Sequence, residues 1–177
     1  MFDLLRFSAR DIAPSGFDAE TGYGMLDIPA ALTRAVTARD SREPNDDVRQ
    51  VRPGELFQSG APPLTTRGHP SAFVRGSVDG IEDPDDVYRL WVPAHRELTV
   101  RASNSAVRLR VWRPGTRSVA EEGAAEARDL VASGKGHVRA PNGSREGAFY
   151  YADVRLARSL GNARYQLNVK TSASSKR

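Results

Sequence analysis

Cysteine is missing from these 177 residues. That excludes disulfides, thiolate metal sites and cysteine nucleophiles, and it leaves the cellular compartment open. Lysine is nearly missing too: Lys135, Lys170 and Lys176 are the whole set, so the formal net charge of +4 rests on arginine. Histidine is scarce. His69, His95 and His137 show no i, i+4 or short-loop spacing of a zinc site, and the first two read as turn residues beside Pro70 and Pro93. No apolar run approaches the ~20 residues of a membrane helix, so no membrane partner is expected. The opening Met-Phe-Asp-Leu-Leu-Arg-Phe lacks the basic start, apolar stretch and small-residue cleavage site of a secretory signal. Either the chain is cytoplasmic, therefore, or its true N-terminus lies upstream of Met1.

Catalytic motifs are lacking as well. There is no Gly-x-Ser-x-Gly elbow and no Walker loop, and Gly134-Lys135-Gly136 is too short to cradle a phosphate. No catalytic residue is assigned. The arginines are spread through the chain, for example Arg101, Arg108, Arg110 and Arg113, and acidic neighbours accompany many of the others. This favours a solvated basic surface over a nucleic-acid partner.

What is present falls into three textures. Residues 1–40 read as helix, turn, helix: Phe2, Leu5 and Ala9 share a helical spacing, residues 14–24 hold turn chemistry, and Asp27 is placed to cap a helix with Pro29 in its first turn. Ala31, Leu32, Ala35 and Val36 recur on one face of that helix. Two helices this short are marginal alone, so their apolar side needs a partner. Residues 41–54, rich in Pro, Asn, Asp and Gly, read as an acidic linker. Residues 55–171 alternate apolar and polar at period two in several runs, as in Leu98-Thr99-Val100-Arg101-Ala102. That predicts a mainly β chain: an antiparallel jelly roll or β-sandwich preceded by a short helical segment. Residues 118–136 read as a long loop with room for one short helix, and 172–177 as a disordered tail. Phe73, Trp91 and Trp112 are the aromatics that could form an exposed binding patch.

Two acidic clusters stand out, Glu43 to Asp47 and Asp79 to Asp86. Either they are a polar linker and an acidic turn, or they meet at one end of the sandwich and share a hard cation.

The run Thr21-Gly22-Tyr23-Gly24-Met25-Leu26-Asp27-Ile28-Pro29-Ala30-Ala31-Leu32, preceded by Ser8-Ala9-Arg10-Asp11, resembles the closing segment of subtilisin-like serine proteases. Glu43-Pro44-Asn45-Asp46-Asp47, Gly76-Ser77-Val78-Asp79, Asp85-Asp86-Val87-Tyr88-Arg89-Leu90 and the closing Tyr150-Tyr151 and Tyr165-Gln166-Leu167 strands resemble the bacterial pre-peptidase C-terminal domain, a jelly-roll accessory of secreted proteases. The resemblance implies a secreted parent protein whose protease domain lies upstream. Residues 1–40 would be the remnant of that domain, residues 55–171 the accessory sandwich, and a protein substrate the partner. The family's catalytic serine motif, Gly-Thr-Ser-Met-Ala, has no match, so this chain alone is expected to be inactive. By position the resemblance implies calcium at Glu43, Asn45, Asp46 and Asp86. The alternative is a free-standing sandwich that binds protein or carbohydrate.

Overall fold

The computed structural model describes residues 5, 8–12, 18, 20–33, 42–80, 83–120, 128–158 and 161–173. Eight strands carry the fold: β1 (Ser71–Asp79), β2 (Asp85–Val92), β3 (Arg96–Ala102), β4 (Val107–Trp112), β5 (Leu130–Lys135), β6 (His137–Pro141), β7 (Ala148–Leu156) and β8 (Asn162–Ala173). They form two four-stranded antiparallel sheets, ordered β1-β8-β3-β6 and β2-β7-β4-β5. The chain passes between the sheets at almost every turn. This is the double Greek-key order of an eight-stranded jelly roll.

Alternation drives the assembly. Val74 and Val78, Leu98 and Val100, and Tyr165, Leu167 and Val169 turn inward from the first sheet. Tyr88, Leu90 and Val92, Val107, Leu109 and Val111, and Tyr150, Ala152 and Val154 meet them from the second. Leu90, Leu98, Leu109 and Leu167 are wholly buried, each contributing roughly 1.5–3 kcal/mol of transfer free energy.

Three sequence boundaries change. Residues 42–54 are not a linker. Asn45, Asp46, Asp47, Val48, Gln50 and Val51 are buried, and a one-turn helix, α2 (Val48–Val51), packs Val48 and Val51 with Val87, Trp112, Val119 and Tyr151. These residues cover the outer face of the β2-β7-β4-β5 sheet as a second small core. Trp112, expected as an exposed aromatic, is therefore buried. Residues 130–135, expected as loop, form β5 and pair with β4. At the far end β8 runs on to Ala173 with Thr171 buried, so the expected tail begins too early.

The opening segment keeps its turn chemistry. Asp18 accepts hydrogen bonds from the N–H groups of Glu20 (2.7 Å) and Thr21 (2.8 Å). Arg10 and Met25 pair through two backbone hydrogen bonds of 2.7 and 2.8 Å. Gly24 makes that pairing possible: its φ is 93°, and a Cβ there would lie 2.4 Å from the Arg10 carbonyl oxygen. Asp27 caps α1 (Ile28–Thr33) by accepting from the Ala30 N–H at 2.9 Å. Ala31 is buried, whereas Leu32 is 82% exposed. Phe2, Ala35 and Val36 lie outside the described residues. Among the described residues no helix is long and apolar enough to cross a membrane.

Candidate cation site

The two acidic clusters meet where residues 42–47 cross the start of β2. The Asn45 carbonyl accepts from the Val87 N–H at 2.6 Å, which pins this stretch to the strand. On the other side of the site, Asp79 and Asp83 form a small antiparallel bridge through backbone bonds of 2.8 and 3.2 Å, which turns the Asp83 side chain inward. Glu43, Asp46 and Asp83 then offer carboxylate oxygens that all lie within 4.8 Å of one another.

Of the four residues expected from sequence, Glu43 and Asp46 join this cluster. Asn45 and Asp86 hold each other: the Asn45 amide donates to Asp86 Oδ1 at 2.9 Å. Asp86 Oδ2 accepts from the Tyr165 hydroxyl at 2.6 Å. Tyr165 has one proton and spends it on Asp86, so Tyr88, 2.6 Å away, donates to Tyr165. Burial, and then the Asp86 charge, raise the Tyr165 pKa well above the ordinary phenol value. The relay Tyr88, Tyr165, Asp86, Asn45 thus fixes the Asn45 side chain with its amide nitrogen toward Asp86. Its Oδ1 is buried and meets no hydrogen-bond donor of the protein.

Asp83 is the residue that sequence reasoning did not single out within its cluster. Its Oδ1 is also buried without a donor. Burial, followed by the charges of Asp86, Glu43 and Asp46, pushes its pKa up to about 12. A carboxyl crowded by three others is stable in one of two ways: protonated, sharing its proton with a neighbour, or ionised around a cation. A hydrogen bond to Asp46 serves the first. An oxygen-only set of three carboxylates fits the second, and it fits hard cations such as calcium better than softer metals.

Asp46 also carries the junction with the opening segment. Its Oδ2 accepts from the Tyr23 hydroxyl and from Gln50 Nε2 (2.8 Å), while Gln50 Nε2 lies 3.2 Å from the Tyr23 oxygen. Tyr23 belongs to the Thr-Gly-x-Gly turn, so that turn is fastened to the same carboxylate that faces the cluster.

Asp47 has a separate task. Its Oδ1 caps α2 by accepting from the Arg49 N–H at 2.9 Å, and its Oδ2 holds the Ser118 hydroxyl (2.7 Å) and the Val119 N–H (3.0 Å).

No family model matches the chain, and no curated protein matches it. Among solved structures it is similar to PliG, a periplasmic inhibitor of g-type lysozyme. The Aeromonas hydrophila protein is 20% identical with a TM-score of 0.47, over 62% of this chain and 95% of that one. The Salmonella Typhimurium protein is 16% identical with a TM-score of 0.39, over 62% and 97%. A mutant of the Escherichia coli protein is 16% identical with a TM-score of 0.39, over 60% and 92%. At these scores the likeness carries no inference about activity or partner.

Proposed function

We propose that this chain is the C-terminal portion of a secreted subtilisin-like serine endopeptidase. In this reading the jelly roll is an accessory domain joined to the last segment of the protease domain and stabilised by calcium at the junction. The observation that carries it is the bare apolar side of the opening segment. Ile12, Met25, Leu26, Ile28 and Leu32 are each at least half exposed, although the turn and helix around them are well formed and Tyr23 ties them to the sandwich. A helix that keeps its cap and its glycine turn yet shows its apolar residues to solvent is shaped to be covered by a larger body. A protease domain preceding Met1 in the same polypeptide supplies that body.

Calcium would be held by Glu43, Asp46 and Asp83. Bound there, it would neutralise the crowded carboxylates and stiffen the contact between Tyr23 and Asp46. The jelly roll would thereby set the position of the protease domain's last helix. Hydrolysis itself would belong to the upstream domain.

The test is the gene. Sequencing upstream of Met1 is expected to find an in-frame protease domain ending in the Gly-Thr-Ser-Met-Ala serine motif and its helix. An in-frame stop or an unrelated domain directly upstream would overturn the proposal.

A further inference from the structure

Among the described residues nothing covers the outer face of the β1-β8-β3-β6 sheet, and strand pairing sorts its residues into rows. Phe73 stands opposite Asn168, which stands opposite Arg101, which stands opposite His137. In the next row Ser71 faces Lys170, then Thr99, then Arg139. Arg75 pairs with Gln166, and Ser77 with Arg164. Arginines that look scattered in sequence are therefore gathered: Arg75, Arg101, Arg139, Arg164 and Lys170 all point outward and are exposed. Among the described residues the carboxylates of this face stand at its margins: Glu97, one row beyond and 3.6 Å from Arg139, and Asp79, opposite Asn162 at the end of β1. A groove of about 610 Å³ crosses the face, lined chiefly by Phe73, Thr99, Arg101, Arg139, Asn168 and Lys170.

The lining is of three kinds. Phe73, 51% exposed, offers an aromatic surface, with the Arg75 guanidinium 5.4 Å from its ring centre. Arg101, Arg139 and Lys170 offer charge, the arginines as forks that match carboxylate or sulfate. Thr99, Asn168 and Ser71 offer neutral hydroxyl and amide groups. A linear chain of sugars bearing acidic groups presents the complement of all three: an apolar ring face, anions, and hydroxyls between them. A single-stranded nucleic acid would want a platform for each successive base, and among the described residues this face offers one benzene ring, Phe73, with the imidazole of His137 at the far end of its row. An acidic peptide would be expected to add along a sheet edge, whereas this groove crosses the strands.

We propose that this sheet face binds an acidic polysaccharide, with Phe73 under a sugar ring and Arg101, Arg139 and Lys170 on its carboxylate or sulfate groups. A glycan here neither needs nor excludes a protease domain upstream, so the two readings stand or fall separately.

Affinity electrophoresis of the whole chain through gels containing polygalacturonate tests this, with neutral dextran gels as reference. Retardation by polygalacturonate alone is expected, weakening as salt is added. The pair Arg101→Ser and Lys170→Ser is expected to lower affinity about tenfold. Phe73→Ser, which leaves the charge unchanged, is expected to lower it as well. The charge-matched pair Arg108→Ser and Lys135→Ser, exposed on the other sheet, is expected to change it less than about twofold. All substituted positions are exposed, so equal melting temperatures will show that each variant folds. The proposal is overturned by no retardation, by an equal loss in the charge-matched pair, by an unchanged Phe73→Ser, or by tighter binding to oligo-dT or polyglutamate than to polygalacturonate.

Discussion

The two sheets of the jelly roll share one core but treat their outer faces in opposite ways. The β1-β8-β3-β6 sheet leaves its cations in water. The β2-β7-β4-β5 sheet is partly roofed by residues 42–61 and 113–120, and Arg110 goes under that roof while Arg108 and Lys135 stay exposed beyond it. Arg110 is 3% exposed there: its guanidinium pairs with Asp153, lies 3.4 Å from Asp85, donates to the Val119 carbonyl at 3.3 Å and sits 4.8 Å from the Trp112 ring centre. Arginine on a strand therefore means different things on the two faces. On one side it is a solvated charge that costs little to remove; on the other it is a desolvated hub whose partners are stranded if it goes.

The sharpest way to break this comparison is Arg110→Met. With Asp153 left buried without its cation, and Asp85 left to Arg155 at 3.0 Å alone, urea unfolding is expected to show a loss of about 3–5 kcal/mol. A loss under about 1 kcal/mol would mean that the roof opens easily and that the two faces hardly differ.

Calcium gives a second, smaller handle at the end of the roofed sheet. At a hundredfold excess over its dissociation constant, calcium is expected to add about 2.7 kcal/mol to unfolding free energy, read as a rise in melting temperature against chelator. The pH dependence has a definite sign. Asp83 titrates near 3.8 in the unfolded chain and about 12 when folded without metal. Its stabilising contribution is thus fully present below about 4 and fades as pH rises toward 12. Calcium favours the ionised carboxylates, so its effect is expected to be larger at pH 8 than at pH 5. Asp83→Asn is expected to erase the calcium response and, in chelator at pH 8, to melt no lower than the parent. Identical curves with and without calcium would remove the ion from the account.

The smallest effect belongs to the bare face. Arg101→Ser combined with Lys170→Ser is expected to stay within about 0.5 kcal/mol of the parent in urea unfolding. A larger loss would show that this face is held together by its cations and is not a free surface.

Much of the jelly roll was readable because its strands are half-buried: Val74 and Val78, Leu98 and Val100, and Leu167 and Val169 announce their face by period two. β5 was not readable. Leu130-Val131-Ala132-Ser133-Gly134-Lys135 has no fully buried residue, and its small side chains leave the alternation faint. The roof was misread as a linker because Pro, Asn and Asp disfavour regular structure without saying whether they are buried. Asn45, Asp46 and Asp47 are buried because each meets a specific partner, and partners distant in sequence do not show in composition. The carboxylate cluster was legible as two acidic stretches able to meet. Which acid turned inward depended on the bridge between Asp79 and Asp83, a backbone detail that a run of carboxylates does not encode. The bare basic face was hidden for a related reason, since Arg75, Arg101, Arg139 and Arg164 come from four strands and become neighbours only through the register.

The roof also decides where the molecule can be cut. A recombinant jelly roll begun at Glu55, where the sequence pattern places the boundary, would discard Val48 and Val51 and uncover Val87, Trp112 and Tyr151. It would also take Asp47 from Ser118 and Val119, leaving the stretch over Arg110 without its fastening. Begun at Arg42, the fragment keeps its own lid. The stretch that covers the sheet starts before the first strand by nearly thirty residues, counting from Arg42 to Ser71.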